Sequence, residues 1–448
     1  MAVAGLAAWF GYAPTIAEAQ RLSLIRDAET ENTIRTLAAP LFTTAGLNAN
    51  DVHIYIIRDN QLNAFVAGGQ NLFLNTGTIM RAETPNQLIG VIAHETGHIA
   101  GGHLSRWNDQ MQGASALAIA SMLLGIGAAI ATGQGNALGA VAGVGQTLAT
   151  ANVLQFSRTQ ESSADQAGIT FLDHTSQSPR GLLEFFETLW NQELLSASRQ
   201  APYLRTHPLT RERIDFVKNA VAQSRFADRP DAPGAVYAFQ RVRAKLLGFT
   251  EPLGRTLQSY PETDNSEYAR YARAIAYYRI PQLDRALALI DGLIAEHPVD
   301  PYYHELKGQM LFENGRGVPA MASYKEAVRL LPNSALLRVG LAQTELELDD
   351  PKLNADALQN LSDAVNHEPE FSLAWRLLGI VYGRENRIGD ASLALAEQAI
   401  IDGRLRDAIQ QSKRAQQLLP TGSPGWLRAQ DLLQQAERER QHQRQQRG

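Results

Sequence analysis

Residues 94–98 read His-Glu-Thr-Gly-His, inside the largely apolar segment 88–100. In a helix, residues four apart lie on one face, so the imidazoles of His94 and His98 can reach a single zinc ion. Glu95 then lies beside the metal, where a carboxylate can serve as the general base that deprotonates a bound water. The apolar flanks indicate that this helix is buried in a core. The pattern therefore predicts a zinc hydrolase built around one buried helix.

Two histidines leave a zinc site incomplete, and the chain offers two candidates for a third ligand. His103 lies one position before the third histidine of an HExxHxxGxxH motif, a position that is Leu104 here, and about 140° around the helix from His98. We interpret His103 as a structural histidine or a neighbour of a ligand. Glu161 and Asp165 share a helix face, so one carboxylate can bind metal while the other orients a ligand histidine. Their position directly after a long uncharged stretch favours this interpretation over a solvent-exposed acidic pair.

The motifs together resemble those of one known family. They are His94-Glu95-xx-His98, Glu161-xx-Ala164-Asp165 and Thr206-His207-Pro208-xxxx-Arg213-Ile214, preceded by strand-like segments at 62–69 and 72–77. Their order and spacing are similar to those of the HtpX/BepA-type zinc metallopeptidases. With the helical repeats described below, the resemblance is to the periplasmic BepA-type members and covers nearly all of the mature chain.

The resemblance implies a role for each of the matched residues. His94, His98 and Glu161 would bind one zinc ion per subunit, and Glu95 would be the catalytic base. Asp165 would support a ligand histidine from behind. These assignments agree with what the helical spacing alone allows.

His207 and Arg213 gain their meaning mainly from the resemblance. In the family, the histidine of the Thr-His-Pro motif lies near the metal, where it would either hold the enzyme shut as a fourth ligand or stabilise the oxyanion. Without the resemblance, His207 is a histidine before a proline, where the backbone tends to be extended. Arg213 matches the family's arginine and would otherwise be a charge on a helix surface.

Composition and the start of the chain suggest an exported, multi-domain protein. The 448 residues are 44% apolar with a net charge of −5, which predicts two or three globular domains and disfavours nucleic acid as a partner. Residues 1–19 are interpreted as a signal peptide, with Ala17-Glu18-Ala19 as the cleavage site, although no Lys or Arg precedes the apolar run. The cysteine-free chain would tolerate an oxidising compartment. The resemblance places the mature protein in the periplasm.

Residues 20–225 are predicted to form the metallopeptidase domain. Residues 20–41 have helical periodicity, whereas 52–57, 65–66 and 72–74 are β-rich and broken by turn residues. This pattern predicts a small sheet packed on the ligand helix. An edge strand of that sheet would receive the substrate as an added strand, which reads backbone rather than sequence.

A stretch of 48 residues, 110–157, contains no Asp, Glu, Lys, Arg or His. We interpret it as a hairpin of two small-residue helices that either covers the active-site cleft or touches a membrane surface. The alternative is a membrane-spanning helix over 114–132, which is only mildly apolar and has no positive flank.

The C-terminal half changes in composition. Residues 226–262 are predicted to be a linker with a helix near 237–247. Residues 263–436 are predicted to be tetratricopeptide repeats, because prolines end helical stretches at 298, 332, 369 and 420, near the 34-residue period. Residues 437–448 lack an apolar face and are expected to be a solvated, disordered tail.

The predicted fold class is α+β and predominantly helical, with a zinc-protease domain followed by an all-α solenoid. The predicted function is a zinc endopeptidase. By resemblance, it would act with chaperone-like activity in the quality control and assembly of outer-membrane proteins, binding unfolded or misassembled clients and their assembly machinery through the repeats. Two alternatives remain open: a chaperone or scaffold whose zinc is structural, and an integral membrane protease.

Overall fold

The computed structural model describes residues 23–103, 158–193 and 202–445. Over these residues the fold is α+β and predominantly helical, as the sequence predicts. The predicted signal peptide and the uncharged segment 110–157 lie outside the described residues. Among the described helices, none has the length and apolarity that a membrane crossing requires.

The N-terminal region combines a small sheet with seven described helices. Its elements are β1 (Leu24–Ile25), α1 (Ala28–Thr44), β2 (His53–Ile57), β3 (Ala64–Ala67), β4 (Asn71–Asn75), α2 (Thr76–Arg81), α3 (Pro85–Ala100), α4 (Arg158–His174), α5 (Arg180–Glu193), α6 (Pro202–Thr206) and α7 (Arg211–Gln223).

The sheet has the strand order β1-β2-β4-β3, with a parallel pair at its centre. β2 and β4 run parallel, with Ile54 opposite Leu72, and the two outer strands are antiparallel to their neighbours. The rings of Tyr55, Phe73 and Phe65 stack across three strands with centroids 4.9 Å apart. β3 forms one edge of the described sheet, and α3 packs against it. The sheet therefore supports the ligand helix, as the sequence predicts.

The first helix begins later than its periodicity predicts. Asp27 accepts a hydrogen bond from the backbone N–H of Thr30, so the helix begins at Ala28. Leu24 and Ile25 form a short strand beside β2 instead of a first helical turn. The helix begins at this point because a capping aspartate fixes a helix start more strongly than apolar spacing does.

Helices α3 and α4 cross at very close range because both carry glycine at the crossing. A Cβ added at Gly97 would lie 2.7 Å from the backbone oxygen of Ala164, and one at Gly168 would lie 3.2 Å from that of Ala93. Only glycine allows backbones to approach this closely. The crossing brings the first turns of α4 against the middle of α3.

Two helices connect the N-terminal region to the repeats, in the segment that the sequence predicts to be a linker. They are α8 (Pro233–Thr250) and α9 (Leu253–Ser259). α8 packs on α1 and on the first repeat helix, so it is a structural junction.

The repeat region consists of five described helix pairs. They are α10 (Glu267–Tyr278) with α11 (Leu283–Glu296), α12 (Pro301–Glu313) with α13 (Gly317–Leu330), α14 (Ala335–Glu347) with α15 (Asn354–His367), α16 (Ser372–Arg384) with α17 (Ile388–Ile401), and α18 (Leu405–Leu418) with α19 (Pro424–Gln445). Small residues let these helices approach. The ring of Tyr324, for example, lies 2.7–2.8 Å from where a Cβ would stand at Gly308 and at Gly340.

The predicted disordered tail is wrong as far as the structure describes it, because α19 continues to Gln445. Glutamine, glutamate and arginine favour helix, and no glycine or proline interrupts them. The Gln435 side chain also donates a hydrogen bond to Glu439, one turn later, at 3.0 Å. Lack of an apolar face therefore did not prevent this terminal helix.

Candidate metal centre

Helix α3 places three residues of the His-Glu-Thr-Gly-His motif in the interior of the N-terminal region. His94, Glu95 and His98 are all fully buried. The close crossing at Gly97 brings Glu161 and Asp165 of α4, also fully buried, to the same place. Five ionisable groups are therefore gathered in one interior chamber, which requires strong mutual compensation.

Four side chains converge so that each offers one ligand atom: His94, His98, Glu161 and His207. These atoms all lie within 4.8 Å of one another. His94 Nε2 is 3.1 Å from His98 Nε2, and His207 Nδ1 is 3.0 Å from the Oε1 atom of Glu161. Three imidazole nitrogens and one carboxylate oxygen match the ligand types and the four-coordinate preference of zinc.

Asp165 and Arg213 support this cluster from behind. His94 Nδ1 is 2.8 Å from Asp165 Oδ1, and Asp165 in turn accepts bonds from Arg213 Nε at 2.7 Å and Nη2 at 2.8 Å. Arg213 Nη1 also lies 2.6 Å from Glu161 Oε2. The guanidinium stacks over the Phe186 ring. One arginine therefore holds both carboxylates of α4 in place. Arg213 is buried, which excludes the alternative that it is a charge on a helix surface.

The hydrogen bond to Asp165 determines which nitrogen of His94 faces the cluster. If Nδ1 donates to this carboxylate, Nε2 is available as a metal ligand. Burial opposes protonation of His94, but its bonds to Asp165 and Glu161 raise the pKa to about 9. Burial lowers the pKa of His98 well below 6.5. The chamber thus holds the two motif histidines in different electrostatic environments.

Glu95 is fully buried beside the ligand-type side chains. Burial raises its pKa, whereas the nearby His207 and His94 and a hydrogen bond with Tyr203 act in the opposite direction. His207 Nε2 lies 3.5 Å from Glu95 Oε1. A buried carboxyl group with a raised pKa fits a group that exchanges protons with a water or substrate.

His103 lies outside the four-residue cluster but touches it. Its Nδ1 is 3.0 Å from Nδ1 of His98, on the side of that ring away from the cluster. It can therefore orient His98 in the way that Asp165 orients His94.

Tyr203 belongs to the site but was not identified from the sequence. It is almost fully buried, and its ring stacks on His207 with centroids 4.5 Å apart and planes inclined by 23°. The only signal in the sequence is its position four residues, or about one helical turn, before His207. A single aromatic at that spacing is usually a core residue, so nothing in the sequence selects it.

Residues 26–221 match the model of Peptidase family M48. The chain is 24% identical to the Beta-barrel assembly-enhancing protease of Yersinia pestis over 393 residues, covering 86% of this chain and 79% of that protein. It is 26% identical to the protein of the same name from Escherichia coli (strain K12) over 412 residues, covering 89% and 81%. The crystal structure of MamA is 19% identical and covers 38% of this chain and 96% of its own, with a TM-score of 0.29.

The family match and the geometry agree on the same region of the chain. The matched segment includes every residue of the buried His/Glu cluster, together with Glu95, Asp165 and Arg213. Residues 26–221 therefore form a zinc metallopeptidase domain that is similar to Peptidase family M48.

Proposed function

We propose that this protein is an exported zinc endopeptidase that cleaves unfolded or misassembled outer-membrane proteins in the periplasm and also has chaperone-like activity. The relatives named beta-barrel assembly-enhancing protease support this client class, because the similarity spans most of both chains. The repeat region would bind clients and components of their assembly machinery. The observation that carries the proposal is a buried cluster of four ligand-type side chains beside the buried carboxyl group of Glu95.

The residues of the cluster divide into ligands and supports. We assign His94, His98 and Glu161 as the ligands of one zinc ion per subunit. Asp165 orients His94, and Arg213 holds Asp165 and Glu161 in place through the bonds described above. Such supporting contacts fix the ligands before metal arrives and strengthen binding.

Zinc bound at this cluster would polarise the scissile carbonyl and acidify the attacking water. Glu95 accepts the proton of that water and then delivers it to the nitrogen of the leaving amine. Its burial suits this role, because a raised pKa brings a carboxyl group closer to the working pH of a general base. An oxyanion that develops on the former carbonyl needs a donor, which His207 would supply in a catalytic role.

The contacts of His207 support a role as an inhibitory fourth ligand more directly than a catalytic role. Its Nδ1 lies 3.4 Å from His94 Nε2 and 3.0 Å from Glu161 Oε1, inside the ligand cluster. Its Nε2 faces Glu95. In this arrangement one imidazole occupies the position that water needs and also engages the base, so the resting site would be closed.

Substrate would enter along β3. The described strands leave the outer edge of β3 without a partner strand, and α3 packs beside it. A peptide pairing there would be recognised through backbone hydrogen bonds, which suits clients that share an unfolded state rather than a sequence.

The test is cleavage of an unfolded outer-membrane β-barrel protein by the purified full chain. Glu95→Gln keeps the size of the side chain but removes the base, so we expect cleavage to fall by about 10²–10⁴-fold with zinc content unchanged. Removal of metal by a chelator should also abolish cleavage, and added zinc should restore it.

Glu345→Gln is the matched control, because Glu345 is a buried glutamate of the repeat region, hydrogen-bonded to Asn360 at 3.2 Å. It should cleave normally. Cleavage that persists in Glu95→Gln at the level of this control would contradict the mechanism.

A chaperone with a structural zinc is the second candidate, because four protein side chains already complete a tetrahedral ligand set. In that case the protein would suppress aggregation of an unfolded client, zinc removal would unfold the N-terminal region, and no variant would cleave. Measuring aggregation and cleavage on the same samples separates the two functions.

A further inference from the structure

Tyr203 is the residue of the metal centre to which neither the motifs nor the mechanism above gives a role. It lies on α6, one turn before His207, and its ring is parallel to that imidazole within 23°. Phe185 packs edge-on against its other side with centroids 5.3 Å apart. The imidazole of His207 is therefore held by a ring that is itself fixed in the core.

Stacking determines more than the position of His207. A histidine ring can turn about its Cβ–Cγ bond and exchange its two nitrogens in space, and a parallel neighbour restricts that rotation. Here the observed orientation directs Nδ1 to Glu161 and Nε2 to Glu95. Without the tyrosine ring, this orientation would lose its main apolar contact.

The backbone of Tyr203 also connects the same segment to the sheet. Its N–H donates to the carbonyl oxygen of Leu62, just before β3, at 3.4 Å. The N–H of His207 donates to the carbonyl of Tyr203 at 2.8 Å, which closes one turn. A path of direct contacts therefore runs from the start of β3 through Tyr203 to the imidazole in the metal cluster.

The side chain of Tyr203 is almost fully buried, so its ring contacts and its backbone fix its position together. The backbone hydrogen bond to Leu62 is long, at 3.4 Å, and is therefore weak. A competitor for the Leu62 carbonyl would remove this bond first.

We propose that Tyr203 is a positioning residue that holds His207 in the metal cluster and links its release to substrate entry. A substrate strand that pairs along β3 competes with the Tyr203 N–H for the Leu62 carbonyl. Loss of that weak bond frees the turn that carries both rings, so His207 leaves the metal as the substrate arrives. The inference rests on the proposed role of His207 as an inhibitory ligand and adds the element that controls it.

The test compares coordination and cleavage in the cobalt-substituted full chain, because Co²⁺ reports its ligands in the visible spectrum. We expect Tyr203→Ala to shift this spectrum toward that of His207→Ala and to raise cleavage of an unfolded substrate several-fold. Tyr203→Phe keeps the stacking ring and should keep the parent spectrum. Tyr324→Ala removes a buried ring of the repeat region and controls for general destabilisation.

A double-mutant cycle then asks whether Tyr203 acts through His207. Tyr203→Ala should have no further effect on spectrum or cleavage in the His207→Ala background. A parent spectrum in Tyr203→Ala, or an undiminished effect in that background, would overturn the inference. If His207→Ala itself fails to raise cleavage, the inhibitory role is wrong, but the spectra still decide whether Tyr203 positions the ring.

Discussion

The imidazole of His207 lies between the ligand cluster and Glu95 in the candidate metal centre. His207 presents Nδ1 to the ligand cluster and Nε2 to Glu95, and it is fully buried. In the inhibitory role proposed above, His207 would add a free-energy cost to substrate binding, because substrate would bind only the fraction of molecules in which the site is open. Activity would then depend on how readily the His207 side chain leaves the cluster.

Replacing this imidazole should therefore raise activity. We expect His207→Ala to increase cleavage of an unfolded substrate several-fold at subsaturating concentration, with zinc retained by His94, His98 and Glu161. Initial rates and metal content measured on the same preparation provide the check. A fall of about 10²-fold or more in kcat would instead identify His207 as the oxyanion donor.

The residues of the cluster differ in how far the sequence could predict them. His94, His98 and Glu161 follow from helical spacing and motif order, and the structure brings them together with His207. Their proximity is observed, whereas their roles as ligands are proposed. Tyr203 could not be predicted, because its role depends on a stacking contact with His207 that exists only in the tertiary structure.

At the scale of elements, the metal centre depends on how two helices cross. α3 supplies two histidines and Glu95, whereas α4 supplies Glu161 and Asp165. The two helices meet where Gly97 faces Ala164, with no room for a side chain. The fourth position of the His-Glu-x-x-His spacing can vary in general, but in this chain the glycine there, Gly97, sets the distance between the two helices.

Enlarging that glycine by one methyl group should damage metal binding without touching a ligand. In Gly97→Ala, the new Cβ would stand 2.7 Å from the carbonyl oxygen and 2.9 Å from Cα of Ala164, which are backbone atoms that cannot turn aside. We expect the helices to separate, zinc affinity to fall by about 10–100-fold, and stability to decrease by about 1–3 kcal/mol.

Gly383→Ala is the control for this prediction, because a Cβ at Gly383 in α16 meets nothing within 4 Å. Replacing a helical glycine in open space should stabilise the protein by about 0.5–1 kcal/mol. Competition with a chromogenic chelator measures the affinity of each variant. Equal zinc affinity in the two variants would show that the crossing does not set the site.

Elements were easier to predict from the sequence than their ends. Proline spacing predicted the repeats, and the β-rich segments correspond to the strands of the sheet. The start of α1 and the length of α19 were misjudged, because a cap and a run of helix-favouring polar residues outweighed the apolar pattern. Hydrophobic periodicity finds a helix more reliably than it finds where the helix stops.

At the scale of the whole molecule, a buried ionic network joins the N-terminal region to the repeats. Glu29 of α1 is 2% exposed; its carboxylate forms an ion pair with Arg241, with Nε 2.8 Å away, and accepts a hydrogen bond from the Tyr271 hydroxyl at 2.7 Å. Lys245 lies 3.4 Å from the same carboxylate. Nearby, Ala28 packs against residues of α13 and α14. The start of α1 is therefore enclosed by repeat helices.

Breaking this network on one side should be strongly destabilising. In Arg241→Met, Glu29 and Asp300 lose a buried cation, so we expect a loss of about 3–5 kcal/mol in the free energy of unfolding. Denaturant titration measures it, and limited proteolysis should show earlier cutting between the two regions. Adding Glu29→Gln to Arg241→Met should restore part of the loss.

Arg329→Met provides the comparison, because Arg329 forms an exposed ion pair with Glu326. Such pairs contribute little. We expect no measurable change in unfolding for this variant, and a similar loss in both variants would mean that burial of the network is unimportant.

No pattern in the sequence predicts this junction. Glu29, Arg241 and Lys245 lie on helices, where charged residues normally face water. Glu29 is more than 200 residues from the other two along the chain. Their pairing is a property of the tertiary structure alone. The segment predicted to be a linker is consequently a packed connection, with α8 in contact with both sides.

The enclosed start of α1 has a consequence for where clients are cut. If the repeats keep a fixed position relative to the peptidase region, a client segment bound to them would lie at a constant distance from the catalytic site. We expect cleavage sites to be selected by their spacing from the bound segment. Inserting a flexible spacer between the bound segment and the cleavage site of a test client should move the cleavage site by the length of the insert. Cleavage that stays at one sequence would contradict selection by distance.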